Sequence, residues 1–194
     1  MSNTIHVKAA QTEFPVAAFI TDRFSPRAFS DKNIEQEVLN TLFEAASWSP
    51  SAMNDQPWEY VYAHRGTAAF DQLWECLMPG NQPWAKNAAA LVVSIARTHY
   101  TSNGAPNSAA LHDVGMANAQ LLLQARAMDI FGHPMGGFVS EKVKTLIGLD
   151  EQHTPVLIFA LGYLGSADTL EEPFKTRELT PRSRKPVEHF VRGI

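Results

Sequence analysis

Two apolar runs, residues 88–96 and 155–164, flank a long helical pattern whose surface is apolar almost all round. That pattern, residues 108–128, brings Leu111, Val114, Gly115, Ala119, Leu122 and Leu123 close together. A helix of this kind is buried on most sides, in a core or in a seam between two chains. The two flanking runs read as buried strands. Each is about half the ~20 residues that a membrane-crossing helix needs. Strands buried this thoroughly require helices above and below them, so the expectation is a mixed α/β arrangement with both sheet faces covered.

The remaining segments fit that frame. Asn33 with Gln36 three residues on reads as a capping box. Ile34, Val38, Leu42 and Ala45 then share one helical face, until Ser49-Pro50-Ser51 ends the helix near Trp48. Trp58-Glu59-Tyr60-Val61-Tyr62 is rich in strand formers. Residues 67–77 read as a helix stopped by Pro79-Gly80, and residues 98–107 as a turn-rich connection. Gly132-His133-Pro134-Met135-Gly136-Gly137 reads as a break. Ser140 can cap a short helix running through Ile147. One domain over residues 1–194 is expected, with residues from about 165 onward as an extended arm, since they carry no strong apolar period.

Composition removes several functions. Sixteen Lys and Arg against twenty Asp and Glu give a net charge of −4 and a mildly acidic chain. No bulk positive field is available for nucleic acid. A single cysteine, Cys76, excludes an intrachain disulfide and a cysteine-cluster metal site, and suits a reducing compartment. Its neighbours would not lower a thiol pKa, so a small buried filler is the expectation. No secretion signal is read at the N-terminus, and a soluble cytoplasmic protein is expected. The seven histidines show no helical ligand spacing and no HExxH, so no metal is expected. GxSxG, GxGxxG and GxxxxGK[ST] are absent as well.

What remains is a set of polar anchors. Arg23, Ser25 and Arg27 share one turn, and Arg182-Ser183-Arg184 lies near the far end. Guanidinium forks with a hydroxyl between them suit a phosphate monoester, although either cluster alone could be a solvated face. The loop Pro50-Ser51-Ala52-Met53-Asn54-Asp55-Gln56-Pro57-Trp58 combines two prolines, polar side chains and a Trp between a helix and a strand. Stiff polar loops of this kind often hold a ligand edge, and a packed turn is the alternative.

In these motifs the chain resembles the nitroreductase family of flavin enzymes. Arg23-Phe24-Ser25-Pro26-Arg27 is similar to the family's Arg-x-Ser-x-Arg/Lys turn. The Pro50–Trp58 loop is similar to Pro-Ser-x-x-Asn-x-Gln-Pro-Trp and is the most specific piece. Asn81 precedes the first buried strand, Pro134-Met135-Gly136-Gly137-Phe138 stands in place of Pro-x-x-Gly-Phe, and Arg182 and Arg184 match the C-terminal basic pair. The resemblance implies an α+β fold with a central mixed sheet flanked by helices, and an intertwined homodimer with an extended C-terminal arm. It implies FMN at the subunit interface, NADH or NADPH as electron donor, and hydride transfer through flavin N5 to a nitroaromatic, a quinone or an activated alkene in ping-pong order. Neither nucleic acid nor membrane is an implied partner. No side chain is implied as catalytic, because the flavin carries the chemistry.

The implied roles follow position by position. Arg23, Ser25, Arg182 and Arg184 would grip the phosphate, with Phe24 in the same turn. Arg27 would face the N1–O2 edge of the ring, and Asn81 its polar edge. Gly136 and Gly137 would bring backbone N–H groups to N5, with Pro134 and Met135 of the same motif also binding the cofactor. Pro50, Ser51, Ala52 and Asn54 would come from the other subunit. Many relatives carry Glu where Gly136 stands, and some carry Lys where Trp84 stands. Trp84 and Phe138 are therefore the expected substrate neighbours, with Trp84 stacking on flavin or substrate. The alternative reading is a flavin carrier or sensor without turnover. A third is a dimerisation module with surface basic clusters.

Overall fold

A computed structural model describes residues 3–194. In chain order the elements are α1 (Asn3–Val7), α2 (Ala18–Thr21), α3 (Gln36–Ser47), β1 (Trp58–His64), α4 (Ala68–Glu75), α5 (Gln82–Ala85), β2 (Ala90–Arg97), α6 (Ala110–Ala127), β3 (Ile130–Met135), α7 (Ser140–Ile147), β4 (His153–Tyr163) and α8 (Phe174–Glu178). The four strands form one sheet in the order β1-β2-β4-β3. Every pairing is antiparallel, so the described sheet is not the mixed one expected. The fold class is nevertheless α+β. The two strands read from their apolar runs lie at the centre, where both neighbours and both faces remove them from water.

The sheet divides the core in two. One face carries Leu73, Trp84, Leu91, Val93, Ile95, Ile158 and Ala160 beneath α4, α5 and α7. The other carries Ala90, Val92, Phe159 and Leu161 beneath α3 and α6, which contribute Leu39, Leu42, Ala117, Leu121 and Ala125. Alternation along β2 and β4 sends successive side chains to opposite layers. One polar cluster pins α6 to the sheet: Asn118 Oδ1 accepts from Tyr60 OH and Ser94 Oγ, each at 3.0 Å. Pro155 is tolerated in a central strand because the β2–β4 register shifts there, between Ser94 and Ile95.

Two local expectations are corrected. Of residues 132–137, read as a break, 132–135 belong to the edge strand β3, whose one described partner strand is β4. An edge tolerates Pro134, and Gly132 leaves room for Leu122 and Leu161 to pack against the strand. Asn33 does not cap α3. Its Oδ1 accepts from Arg65 Nη2 at 2.9 Å, and α3 starts at Gln36 with Glu35 as cap residue and no side-chain cap. Likewise Ser140 is the first residue of α7 rather than its cap, a place taken by Val139.

The end of β4 fixes the segment that carries the first basic turn. Ser30 N donates to Tyr163 O at 2.9 Å, and Gly165 N donates to Ala28 O at 2.9 Å. The two chains run so close that a Cβ on Gly165 would lie 2.6 Å from the backbone carbonyl of Phe29. Backbone cannot swing aside as a side chain can. Gly165→Ala is expected to lose about 1–3 kcal/mol of stability, read as a lower urea midpoint. An unchanged midpoint would show that the two segments separate freely.

Candidate active site

The two basic clusters meet. Arg182 Nη1 donates to Arg23 O at 2.7 Å and Nη2 to Thr21 O at 2.5 Å, across 159 and 161 residues of chain. Arg184 lies close enough to both to oppose their charge electrostatically. Burial, then Arg184, lowers the Arg23 pKa. Burial, then Arg23 and Arg184, lowers that of Arg182, while Asp22 opposes the shift. Among the described residues, no carboxylate forms an ion pair with any of the three. Arg182 Nε is buried and has no hydrogen-bond partner among the described residues. These guanidiniums line a cavity of about 460 Å³ whose other walls include Val16, Ile20 and Thr21. Three like charges held together, with Asp22 near but no carboxylate in an ion pair with them, form a site for an anion. Ser25 is half-buried in the same turn, and Phe24 is buried beneath it, its ring 5.9 Å from the Arg182 guanidinium carbon.

Arg27 is anchored from behind by a residue that sequence patterning did not reveal. Glu178 is fully buried, and Oε2 accepts from Arg27 N at 2.9 Å. Burial raises the Glu178 pKa, against the backbone donors of Arg27 and Ala28 and the charges of Lys8 and Arg27. The Arg27 guanidinium carbon lies 5.8 Å from the centre of the Trp84 ring. Trp84 is 1% exposed and packs on His133 at 4.4 Å between ring centres. The expected stacking of Trp84 on flavin or substrate is therefore corrected. A side chain enclosed by Phe29, His133 and Arg27 forms the floor beneath the site and has no open face.

His133 was also missed. It lies within the segment read as a break, and its Nδ1 donates to Pro26 O at 2.9 Å. A carbonyl only accepts, so Nδ1 carries the proton of the neutral ring. Burial pushes its pKa down to about 4, the Pro26 carbonyl opposes this, and Arg27 adds to it. The folded pKa is below the unfolded value, so the unfolded chain binds more protons between them. Stability is therefore full above pH ~6.5 and falls as pH drops toward about 4. The loss is at most roughly 3 kcal/mol from this group. His133→Gln should flatten that part of a pH series of denaturation curves. An equally steep slope in the variant would place its origin elsewhere.

Asn81 and the glycines form a second polar edge. Asn81 Nδ2 donates to Gly137 O at 3.0 Å, and Met78 N donates to the same carbonyl at 3.0 Å. Among the described residues nothing donates to Asn81 Oδ1. Gly136 is exposed, and a Cβ there would meet nothing within 4 Å, so its backbone stands open. Pro134 is half-buried and Met135 buried in β3, while Phe138 packs half-buried on the core and bridges to Leu77.

The Pro50–Trp58 loop sits elsewhere on the chain. Ala52 N donates to Asp113 Oδ2 at 2.9 Å, and Gln56 N to Ser51 Oγ at 3.0 Å. Asp55 accepts from Thr101 N at 2.9 Å and from Arg97 Nη2 at 3.2 Å. Burial pushes the Asp55 carboxyl up, but these donors outweigh it and hold it below its usual range. Met53, Asn54 and Gln56 have φ of 56°, 54° and 50° without being glycine. Such left-handed conformations cost energy and persist only where the surroundings enforce them. No hydrogen bond among the described residues links Pro50, Ser51, Ala52 or Asn54 to the arginine cluster. Asp113 and Arg97, which impose the loop's shape, carried no sequence signal.

Comparisons with known proteins identify the family and the fold. A model of the nitroreductase family matches residues 20–79 and 68–163. A Ralstonia nicotianae protein, provisionally named an NADH dehydrogenase/NAD(P)H nitroreductase, is 30% identical over 151 residues, 69% of this chain and 77% of its own. An Archaeoglobus fulgidus protein of the same provisional name is 28% identical over 148 residues, 74% and 82% of the two chains. Among solved structures, an oxidoreductase containing FMN superposes with a TM-score of 0.89 at 35% identity, over 93% of this chain and 92% of that one. A nitroreductase family protein from Streptococcus pneumoniae TIGR4 shares the fold, with a TM-score of 0.73 at 18% identity over 91% and 98%. The fold is that of the nitroreductases, and the chain belongs to the nitroreductase family.

Proposed function

We propose that two copies of this chain hold FMN between them and act as an NAD(P)H-dependent oxidoreductase. Family membership supports this reading, as does likeness to an oxidoreductase containing FMN. The observation that carries it is the convergence of Arg23, Arg182 and Arg184 on one cavity, with Asp22 as the one acidic neighbour that acts on Arg182 and no ion pair to any of the three among the described residues. The residues present fit the group. A phosphate dianion would neutralise charges that now oppose one another, and buried Arg182 Nε would gain an acceptor. Ser25 would add a hydroxyl donor to the same phosphate.

The ring would lie toward Arg27, Asn81 and the open backbone of Gly136, with Gly137 next to it and Phe138 beside the substrate. Bound FMN would supply the redox chemistry, hydride transfer from NAD(P)H to a nitroaromatic, a quinone or an activated alkene in ping-pong order. The chain supplies the rest. Arg27, its backbone anchored by Glu178 and its charge fixed over Trp84, favours negative charge developing at the ring edge. Asn81 presents Oδ1, since its amide nitrogen already serves Gly137. His133 stays neutral and holds the Pro26 carbonyl in place.

The second copy is argued from the surface. Trp48, Met53 and Leu111 are 78%, 90% and 57% exposed. On α6, Leu111, Gly115, Ala119 and Ala127 form an uncovered apolar stripe. Such a patch on one chain fits an interface. The Pro50–Asn54 loop, tied to α6 through Asp113, would then reach the partner's flavin. No described helix is long and apolar enough to cross a membrane. A cytoplasmic location suits the lone reduced cysteine. Anaerobic mixing of FMN-loaded protein with NADH or NADPH should bleach the flavin, and a quinone should restore its colour. Unchanged absorbance with both donors would overturn the proposal.

A further inference from the structure

The two ends of the chain that lie outside the family match, residues before 20 and after 163, are fastened to each other. Lys8, just past α1, donates through Nζ to Arg177 O at 2.8 Å and to Thr180 O at 2.6 Å. These carbonyls close the C-terminal end of α8, where a cation meets the partial negative charge of a helix terminus. Two residues beyond Thr180 the chain delivers Arg182. The N-terminal strand of chain continues the same way, because Ala10, Gln11, Thr12 and Val16 wall the cavity that Arg23, Arg182 and Arg184 line.

We infer that Lys8 is a positioning residue for the anion site: it clasps the end of α8 so that Arg182 and Arg184 stay directed into the cavity. The geometry has two independent parts. One is the pair of hydrogen bonds that spans 169 and 172 residues. The other is the N-terminal wall of the cavity, which brings the same arm to the same place. Around Lys8, Glu178 attracts the ammonium while Arg27 and Arg182 oppose it. Lys8 thus sets a cation behind the cavity rather than on its wall, from a part of the chain outside the family match. Lys8 need not touch the anion, since without it the tail after α8 loses the tie nearest its start and keeps only those that Glu178 and Arg182 make to the 21–28 segment.

The inference rests on the FMN reading above, and the experiment separates the two. Dissociation constants for FMN and for riboflavin, which lacks the phosphate, are measured by fluorescence quenching on the full-length apoprotein and on Lys8→Met and Lys8→Arg. The wild-type protein should prefer FMN. Lys8→Met should weaken FMN roughly tenfold while leaving riboflavin nearly unchanged, and Lys8→Arg should restore most of the loss. A wild-type protein that binds FMN no better than riboflavin would overturn the FMN reading itself. A wild-type preference that Lys8→Met leaves intact would overturn the clasp alone. Equal weakening of both ligands would also overturn it, because a merely structural loss does not distinguish them.

Discussion

Replacing Arg182 and Arg184 together by alanine should weaken FMN binding by about 2–5 kcal/mol, or roughly 30- to 5,000-fold in affinity. The size of the effect follows from burial. Arg182 is pressed against the Thr21 and Arg23 carbonyls, and its charge is already disfavoured by burial and by two neighbouring arginines. A phosphate would turn that unfavourable cluster into a charge-assisted network. Deleting two of its three guanidiniums would leave a partly desolvated dianion facing Arg23. Arginines on a solvated face would behave differently, with changes within about half a kcal/mol. Titration of FMN into both apoproteins separates the cases. Arg182→Lys gives an intermediate check, since it keeps charge but loses the two-pronged grip on Thr21 and Arg23.

The second large effect is expected at the α6 stripe. Ala119→Glu would place a carboxylate in the middle of that stripe, where the proposed second copy packs. An unpaired charge buried there costs several kcal/mol, enough to dissociate a typical dimer at micromolar concentration. Sedimentation should show a dimer for the wild-type protein and a monomer for the variant. FMN content should fall with it, because Pro50, Ser51, Ala52 and Asn54 would no longer complete the site. A variant that remains dimeric would place the interface elsewhere. One that becomes monomeric yet retains FMN would show that each chain binds the cofactor alone. The exposed position of Ala119 in the single chain makes the test clean, since the substitution does not touch the chain's own core.

Much of this was legible in residue order because it depends on burial. β2 and β4 announce themselves as apolar runs, since a central strand is dry on both faces. α6 announces itself by apolar residues around most of its surface, and the structure covers one side while leaving Leu111, Gly115 and Ala119 open. The arginine clusters were legible because Arg and Ser alternate in both. Other features depend on distant partners and left no local mark. β3 contains Gly132 and Pro134, which locally signal a break and are tolerated only because β4 pairs it as an edge. Asn33 has the chemistry of a cap, but the Arg65 guanidinium takes its oxygen.

The site shows the same division. Met53, Asn54 and Gln56 adopt left-handed backbone with no glycine to advertise it, because contacts to Asp113 and Asp55 enforce the turn. Glu178 and Lys8 lie in a tail and an arm without periodicity, and their roles exist only once the termini meet. Trp84 was read as a ligand neighbour from its place in a motif. Its burial among Phe29 and His133 follows from the packing of the short helix α5, which residue spacing does not encode.

A crystal structure of the FMN-loaded protein tests the assembly in one measurement. The expected result is phosphate oxygens within about 3 Å of the Arg23, Arg182 and Arg184 guanidiniums, with residues 50–54 of a second copy against the ring. Phosphate density elsewhere, with those three arginines facing only solvent, would contradict it.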